Sequence, residues 1–154
     1  LELEHVTAGM IFRGLAVENG MTLEQFGRHA EEHPEVDWEL DRRMVRRMRQ
    51  GGVLVEGRLS AWMAQREGVE AAKVWLKAPE DIRASRVAQR EGLTKEQALR
   101  ANQVREKSES SRYMDIYGID LADLSVYDAV IDSHDNDAES VARLIVDAAR
   151  KRFP

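Results

Sequence analysis

The sequence contains no cysteine and only three prolines among its 154 residues. The absence of cysteine excludes disulfide bonds and thiolate chemistry, and it favours a reducing compartment, so we expect a cytoplasmic protein. No apolar stretch approaches the roughly 20 residues that a membrane-spanning helix needs. The formal net charge is −5, which argues against a protein that coats nucleic acid non-specifically, because such proteins need a basic face.

The basic residues are mostly arginines. Of the 23 basic residues, 18 are arginine and five are lysine. Arginine suits bidentate recognition of phosphate and carboxylate groups. Compositional bias from a GC-rich genome is the alternative explanation for most of these residues. The arginines therefore indicate an anionic ligand only where their positions along the chain support one.

Strand-like and helix-like patterns alternate along the whole chain. This alternation predicts one α/β domain over residues 1–154, with a parallel sheet covered by helices on both faces. Capping-box patterns at Thr22 and Thr94 predict helix starts, and the second of these helices is expected to run to about Arg112. Pro79 is expected in the first turn of the preceding helix, and Gly51-Gly52 is expected to end the third helix. The four predicted strands cover residues 3–6, 53–55, 72–76 and 128–133.

Residues 53–62, which read VLVEGRLSAW, place three polar or small residues directly after a buried strand. These residues are Glu56, Gly57 and Arg58. Ligands of open α/β sheets bind at the carboxyl ends of the strands. We therefore expect Arg58 to contact an anionic ligand at that edge of the sheet.

Two sets of charged residues share helix faces in the second half of the chain: Arg83, Arg86 and Arg90 on one helix, and Arg105, Glu109 and Arg112 on the next. Because only Gly92-Leu93 joins the helices, the two faces are placed to close over a ligand as a lid spanning about residues 83–112. The alternative is a solvated helical hairpin held by salt bridges.

Further arginines are placed to converge on the same sheet edge. Arg13 lies in the first helix, and five more lie in the third helix, where an apolar stripe leaves Arg43 and Arg47 beside the edge of the core. Several guanidinium groups around one site suit a polyanion whose charge is neutralised while a phosphoryl group moves. The four histidines have no metal-ligand spacing, so no metal site is predicted, and His29 and His33 are expected on the surface.

Five segments carry a family resemblance, in order and spacing: VTAGMIFRGLA, LDRRM, VLVEGRLSAW, WLKAPEDIRASRVAQREG and REKSESSRYMDIYGIDLADLSVYDAVIDS. Together they resemble the archaeal type of cytidylate kinase, a nucleoside monophosphate kinase of the P-loop class. The resemblance runs from Leu3 to the last helix. It implies a three-layer P-loop kinase-like fold with a small helical lid, and ATP-dependent phosphorylation of CMP and dCMP with Mg²⁺. Nucleotides are the partners that it implies. The sequence does not determine the oligomeric state; we expect a monomer that binds neither nucleic acid nor membrane.

The resemblance implies roles for residues of the first half of the chain. Thr7 and Arg43 would face the cytosine base, and Gly9 would belong to the same substrate-binding turn. Arg13 and Arg58 would hold the acceptor phosphate, and Arg58 would also act in catalysis.

Residues after the second strand and in the lid complete the implied site. Glu56 would orient an arginine or a water around Mg²⁺, beside Gly57 in the substrate site. The lid residues are implied to act in catalysis (Arg105, Arg112), in orienting Arg105 or the sugar (Glu109) and in binding the ATP donor (Arg86, Arg90).

The sequence departs from the family pattern in two places. In the bacterial branch, an aspartate follows the positions of Gly57 and Arg58. This chain has Leu59 there, as the archaeal branch does, and this weakens the expectation of strict cytosine selectivity. No glycine begins the phosphate-binding motif G-x-x-x-x-G-K-[ST], and the stretch from Gly68 to Lys73 comes nearest. In the family, that loop supplies backbone amides and a lysine to the donor phosphates, and it helps to hold Mg²⁺.

We therefore expect that a central strand, the P-loop and a helix, about 25 residues and the front of a βαβ unit, precede Leu1 in the complete protein. The missing strand would leave a gap between its neighbours, and the 154 residues alone are expected to lack kinase activity. The alternative is a degenerate kinase-like module that binds a nucleotide or regulates a partner without catalysis. An arginine-rich RNA-binding domain is a further alternative, and AMP, UMP or a shikimate-like acceptor remain open within the enzyme class.

Overall fold

The computed structural model describes residues 3–153. The chain divides into two compact units, Leu1–Ala71 and Ala72–Pro154. No helix among residues 3–153 is both long enough and apolar enough to cross a lipid bilayer.

The first unit combines two strands with four helices. In chain order its elements are β1 (Glu4–Thr7), α1 (Ala8–Glu18), α2 (Leu23–Glu32), α3 (Pro34–Gln50), β2 (Val53–Glu56) and α4 (Ser60–Arg66). The strands pair in parallel, with Glu4 opposite Val53 and Thr7 opposite Glu56. The carboxyl ends of β1 and β2 therefore lie side by side.

Local sequence signals explain where these helices begin and end. Thr7 caps α1, since its hydroxyl accepts a hydrogen bond from the backbone N–H of Met10 at 3.0 Å. Both halves of the predicted capping box are present at Thr22. Helix α3 starts at Pro34 and ends at Gln50, and its C-cap is Gly51, whose φ of 70° lies in the left-handed region that favours glycine. The short helix α4 was not predicted.

One face of α3 forms much of the core. Met44 and Met48 pack with Val6 of β1 and with the valines of β2, which covers one face of the strand pair. The opposite face carries Leu54, which is 47% exposed. As predicted, Arg43 and Arg47 are half-buried beside the apolar stripe, whereas the other three arginines of α3 are exposed.

The second unit also contains a parallel strand pair. Its elements are β3 (Val74–Lys77), α5 (Glu80–Glu91), α6 (Lys95–Tyr117), β4 (Ala129–Asp132) and α7 (Ala138–Arg152). Strands β3 and β4 are in register from Val74 opposite Ala129 to Lys77 opposite Asp132. The α/β class and the parallel pairing predicted from the sequence are confirmed.

Two helix boundaries differ from the predictions. Helix α6 continues five residues beyond Arg112, because the next chain-reversing residue is Gly118 in the left-handed conformation. The N–H groups of Gly118 and Ile119 then bond the carbonyls of Met114 and Tyr113 and end the helix. Pro79 is the N-cap of α5 rather than a residue of its first turn.

Candidate functional site

The carboxyl ends of β1 and β2 meet at a close backbone approach. A Cβ added at Gly57 would lie 2.8 Å from Ser60 Oγ and 3.1 Å from the Cβ of Ala8, the first residue of α1. Only glycine fits at these distances without displacing a neighbour. Gly57 therefore brings the backbone that leads into Arg58 against the N-terminus of α1.

Arg13 folds back toward the same helix N-terminus. A Cβ at Gly9 would lie 3.6 Å from Arg13 Nη2 and 3.8 Å from Thr7 Oγ1, so the guanidinium and the hydroxyl flank Gly9 together. The first turn of α1 contains no acidic residue. Amide N–H groups and the helix dipole make such a terminus favourable for an anion.

These observations bring together five residues that the sequence marked as site residues. We call them the strand-end cluster: Thr7, Gly9, Arg13, Gly57 and Arg58. Arg58 is half-buried and interacts with another group of the chain. The cluster combines the guanidinium of Arg13 and the backbone that leads into Arg58 with a helix N-terminus, and this combination suits a phosphate group.

Glu56 ends β2 beside the strand-end cluster. Its Oε2 lies 3.1 Å from Nε2 of His5 on the neighbouring strand, and both side chains are exposed. The contact joins positions on the same face of the strand pair. The proposed role of Glu56 in orienting an arginine or a water stays a prediction.

Arg43 lies toward the other end of α1. Its Nη1 and Nη2 donate to the two carboxylate oxygens of Glu18, and its Nε donates to Glu39, with all three distances at 2.8 Å. These hydrogen bonds lower the pKa of both carboxyl groups and raise the pKa of Arg43. Glu18 follows Thr7 by 11 residues, which is about 16 Å along a helix axis. The structure therefore groups Thr7 with Arg13 and not with Arg43.

Two buried carboxylates on α3 escaped the sequence analysis. Asp37 is 2% exposed and Asp41 is 8% exposed, and each interacts with another group of the chain. Burial of an ionised carboxylate is unfavourable unless it is paired. Their spacing of four residues within the apolar stripe of Val36, Leu40 and Met44 was the signal that could have found them.

The helical hairpin of α5 and α6 is held by charged contacts. Arg83 pairs with Glu106 across the two helices. Gln103 donates to Glu80 at 2.9 Å, and the ammonium of Lys95 lies 3.8 Å from Asp81. These contacts are those of the salt-bridged hairpin that was considered as an alternative to a lid, and the lid stays a prediction.

The second helix of the hairpin carries the predicted carboxylate–guanidinium pair. Arg105 Nε donates to Glu109 Oε1 at 2.7 Å, and Glu109 is only 9% exposed. Arg112 donates to Ser108 Oγ at 2.8 Å, and its guanidinium carbon lies 5.8 Å from the ring centroid of Tyr113. Both arginines are therefore oriented by neighbours one turn away or less.

The arginines of α5 divide among different partners. Arg86 donates to Oγ and to the carbonyl oxygen of Ser133, at 2.9 and 2.6 Å. Arg90 bonds the adjacent Glu91 instead. Because Ser133 directly follows β4, Arg86 connects the hairpin to the carboxyl end of that strand.

Hydrogen bonds also organise the loop that follows β4. Ser133 Oγ donates to the carbonyl of Lys77, the last residue of β3, at 3.1 Å. The backbone N–H of His134 donates to Asp132 and, with Lys77 nearby, lowers the pKa of that carboxyl group. The ends of both strands of the second unit are therefore bound to one another and to α5.

Among residues 3–153, no group of three or more His, Asp or Glu side chains is arranged to hold a metal ion. His29 and His33 are half-buried, with their rings stacked at 3.8 Å between centroids. His33 also bonds Glu35 at 2.8 Å.

Comparisons with known proteins place the chain in a family. The sequence profile of the Cytidylate kinase-like family matches residues 2–135. The chain belongs to this family. The match contains the strand-end cluster, the hairpin and the loop after β4, and it confirms the resemblance found in the sequence. The parallel α/β structure is consistent with the P-loop kinase-like fold.

Similar proteins are known from archaea. The cytidylate kinase of Methanocaldococcus jannaschii is 48% identical over 147 residues, which cover 95% of this chain and 83% of the relative. The cytidylate kinase of Methanopyrus kandleri is 46% identical over 97% of this chain and 83% of its own length. That of Pyrococcus horikoshii is 45% identical, and the match covers 93% of this chain and 73% of the relative.

Proposed function

We propose that the protein is a cytidylate kinase that transfers the γ-phosphoryl group of ATP to CMP or dCMP and produces CDP or dCDP. The observation that carries the proposal is the strand-end cluster in a chain of the Cytidylate kinase-like family. Arg13 flanks the N-terminus of α1, and Gly57 holds the segment leading to Arg58 against the same terminus. Nucleotides are the proposed partners; a monomeric state, a cytoplasmic location and the absence of nucleic-acid binding stay predictions.

The acceptor nucleotide is bound mainly through its phosphate. Arg13, Arg58 and the amides of α1 neutralise the phosphate, while Arg43 contacts the cytosine base. Phosphoryl transfer needs the two reacting oxygens aligned and the charge neutralised, and it asks little covalent chemistry of the protein. Thr7 already accepts the capping hydrogen bond of Met10, and its contact with the base stays a prediction.

The hairpin supplies further positive charge. Arg105 and Arg112 stabilise the negative charge on the phosphoryl group during transfer. Glu109 keeps Arg105 oriented, as the 2.7 Å hydrogen bond between them supports. Arg86 and Arg90 belong to the side of the ATP donor.

The residues present fit an anionic acceptor better than they fit the donor's β- and γ-phosphates. The 154 residues contain no G-x-x-x-x-G-K-[ST] motif, which in P-loop enzymes cradles these phosphates. ATP supplies the phosphoryl group when it is bound, and Mg²⁺ would be held by the nucleotide phosphates and such a loop. We expect these 154 residues alone to bind CMP but to give no turnover.

Calorimetric titration tests acceptor binding directly. CMP and cytidine are titrated into the wild-type protein, Arg13→Gln and Arg58→Gln. Each substitution should weaken CMP binding about 10- to 100-fold, the loss expected for hydrogen bonds to a charged group. Binding of cytidine should not change, because cytidine has no phosphate.

The control is Arg28→Gln, which removes an exposed arginine that pairs with Glu24 on α2. It should leave both ligands unaffected. Failure of the wild-type protein to bind CMP, or an equal loss of CMP and cytidine binding in the variants, would contradict the proposal.

The absence of the phosphate-loop motif favours a second candidate, a kinase-like module that binds nucleotides without catalysis. Both candidates predict CMP binding, so turnover distinguishes them. A panel of CMP, dCMP, UMP and AMP with ATP and Mg²⁺ is assayed with these residues alone and with a related P-loop segment fused ahead of them. Turnover only in the fusion supports the kinase; turnover in neither supports the binding module.

A further inference from the structure

We propose that Glu18 regulates the acceptor site by occupying the two N–H donors of Arg43 that read the cytosine base, and that CMP displaces it. The inference rests on the proposed function. It goes beyond that function by naming a residue that controls access to the base-reading arginine.

The geometry divides the guanidinium of Arg43 into two edges. Nε donates to Glu39, one turn earlier on α3, whereas Nη1 and Nη2 donate in parallel to the two oxygens of Glu18. Such a bidentate pair defines both the plane and the direction of the guanidinium. With Glu39 retaining Nε, the outer edge can exchange its partner without reorientation of the arginine.

A carboxylate and the Watson–Crick edge of cytosine offer Arg43 the same pattern. Cytosine presents O2 and N3 as two neighbouring coplanar acceptors, much as a carboxylate presents its two oxygens. Uracil has an N–H donor at position 3, which opposes one of the two arginine donors. Glu18 therefore mimics the edge of cytosine, and the edge of Arg43 that it covers selects cytosine over uracil.

The position of Glu18 makes the exchange feasible. It is the last residue of α1, directly before Asn19 and Gly20, and its side chain is 53% exposed. Exposed ion pairs contribute little to stability. The carboxylate can therefore turn into water once the base takes its place.

Glu18→Gln tests the inference, because a carboxamide has one acceptor and one donor and holds the arginine fork less well. We expect the dissociation constant of CMP to fall about two- to fivefold, which is the change in affinity that corresponds to the free energy of an exposed ion pair. The affinity for UMP should stay constant. In an Arg43→Lys background, Glu18→Gln should have no effect on either nucleotide.

Glu24→Gln is the matched control, since Glu24 is an exposed glutamate paired with an arginine one turn later on α2. It should change neither affinity. Glu18→Asp, which keeps the charge but shortens the side chain, should tighten CMP binding in the same direction and serves if Glu18→Gln fails to fold.

Unchanged or weaker CMP binding in both Glu18 variants overturns the inference and leaves Glu18 as a tie between α1 and α3. If the wild-type protein binds CMP through Arg13 while the Glu18 variants give this result, only the inference is refuted. Wild-type protein that does not bind CMP refutes the proposed function as well.

Discussion

The guanidinium of Arg86 in α5 holds both oxygens of Ser133, at 2.9 Å to Oγ and 2.6 Å to the carbonyl. Ser133 in turn donates to the carbonyl of Lys77. One exposed arginine thus connects the helical hairpin to the carboxyl ends of β3 and β4. This connection gives the hairpin a defined attachment point at the strand ends.

Arg86→Ala should loosen α5 without unfolding the protein. We expect amide exchange in α5 to be about fivefold faster, and the free energy of unfolding to change by less than about 1 kcal/mol, because the contacts are exposed. Hydrogen–deuterium exchange read by mass spectrometry measures the effect. Arg90→Ala is the control on the same helix, since Arg90 bonds the adjacent Glu91; equal exchange in the two variants would contradict the role of Arg86.

Gly57→Ala should destabilise the protein by about 1–3 kcal/mol, the range typical of an overpacked site. The added methyl group would lie 2.8 Å from Ser60 Oγ and 3.1 Å from Ala8 Cβ. Urea unfolding measures the loss, and CMP binding should weaken too, because the backbone leading to Arg58 moves.

Gly14→Ala is the matched control for Gly57→Ala. Gly14 lies inside α1, and a Cβ there would meet no atom within 4 Å. Alanine should stabilise the helix by about 0.5–1 kcal/mol. Equal effects of the two substitutions would show that the close approach at Gly57 is not tight.

The carboxyl groups of Glu18 and Glu39 should titrate below their usual pKa of 4.5, because Arg43 donates hydrogen bonds to both. A carboxyl group whose pKa is lower in the folded state stabilises the protein at pH values above its pKa in the unfolded state. This stabilisation is lost as the pH falls through the lowered pKa. Carboxyl carbon NMR shifts measure the two titrations. In Arg43→Gln, both pKa values should move back toward 4.5.

Glu35 provides an internal control for this titration. Its pKa is also lowered, but by its own backbone N–H and by His33. Arg43→Gln should therefore leave the titration of Glu35 unchanged. A shift of Glu35 as large as that of Glu18 would mean that the substitution had altered the fold.

Thr94→Ala should weaken the start of α6. The Thr94 hydroxyl accepts from the N–H of Gln97 at 3.2 Å, and the Gln97 side chain accepts from the N–H of Thr94 at 2.9 Å. We expect a loss of about 1 kcal/mol in the free energy of unfolding, with faster amide exchange at residues 94–98. Thr22→Ala removes the same capping box from α2 and should leave exchange in the hairpin unchanged.

Patterns of neighbouring residues in the sequence were sufficient to predict many of the helix starts and ends. The capping boxes at Thr22 and Thr94 and the stop at Gly51 were all predicted, since each depends on residues within about one helical turn. The periodicity of α3 also predicted that Arg43 and Arg47 would lie at the edge of the core. The end of α6 was predicted too early because the loop-like composition after Arg112 hid a helix that stops only at Gly118.

Tertiary contacts decided which partner each charged side chain takes. Arg83 and Arg86 share a helix face, yet one pairs with Glu106 of α6 and the other with Ser133 after β4. The pairing of Glu18 with Arg43 joins residues 25 positions apart. A long side chain on a helix can reach several partners, and spacing along the sequence carries no information on which of them the packed helices and strands bring within hydrogen-bonding distance.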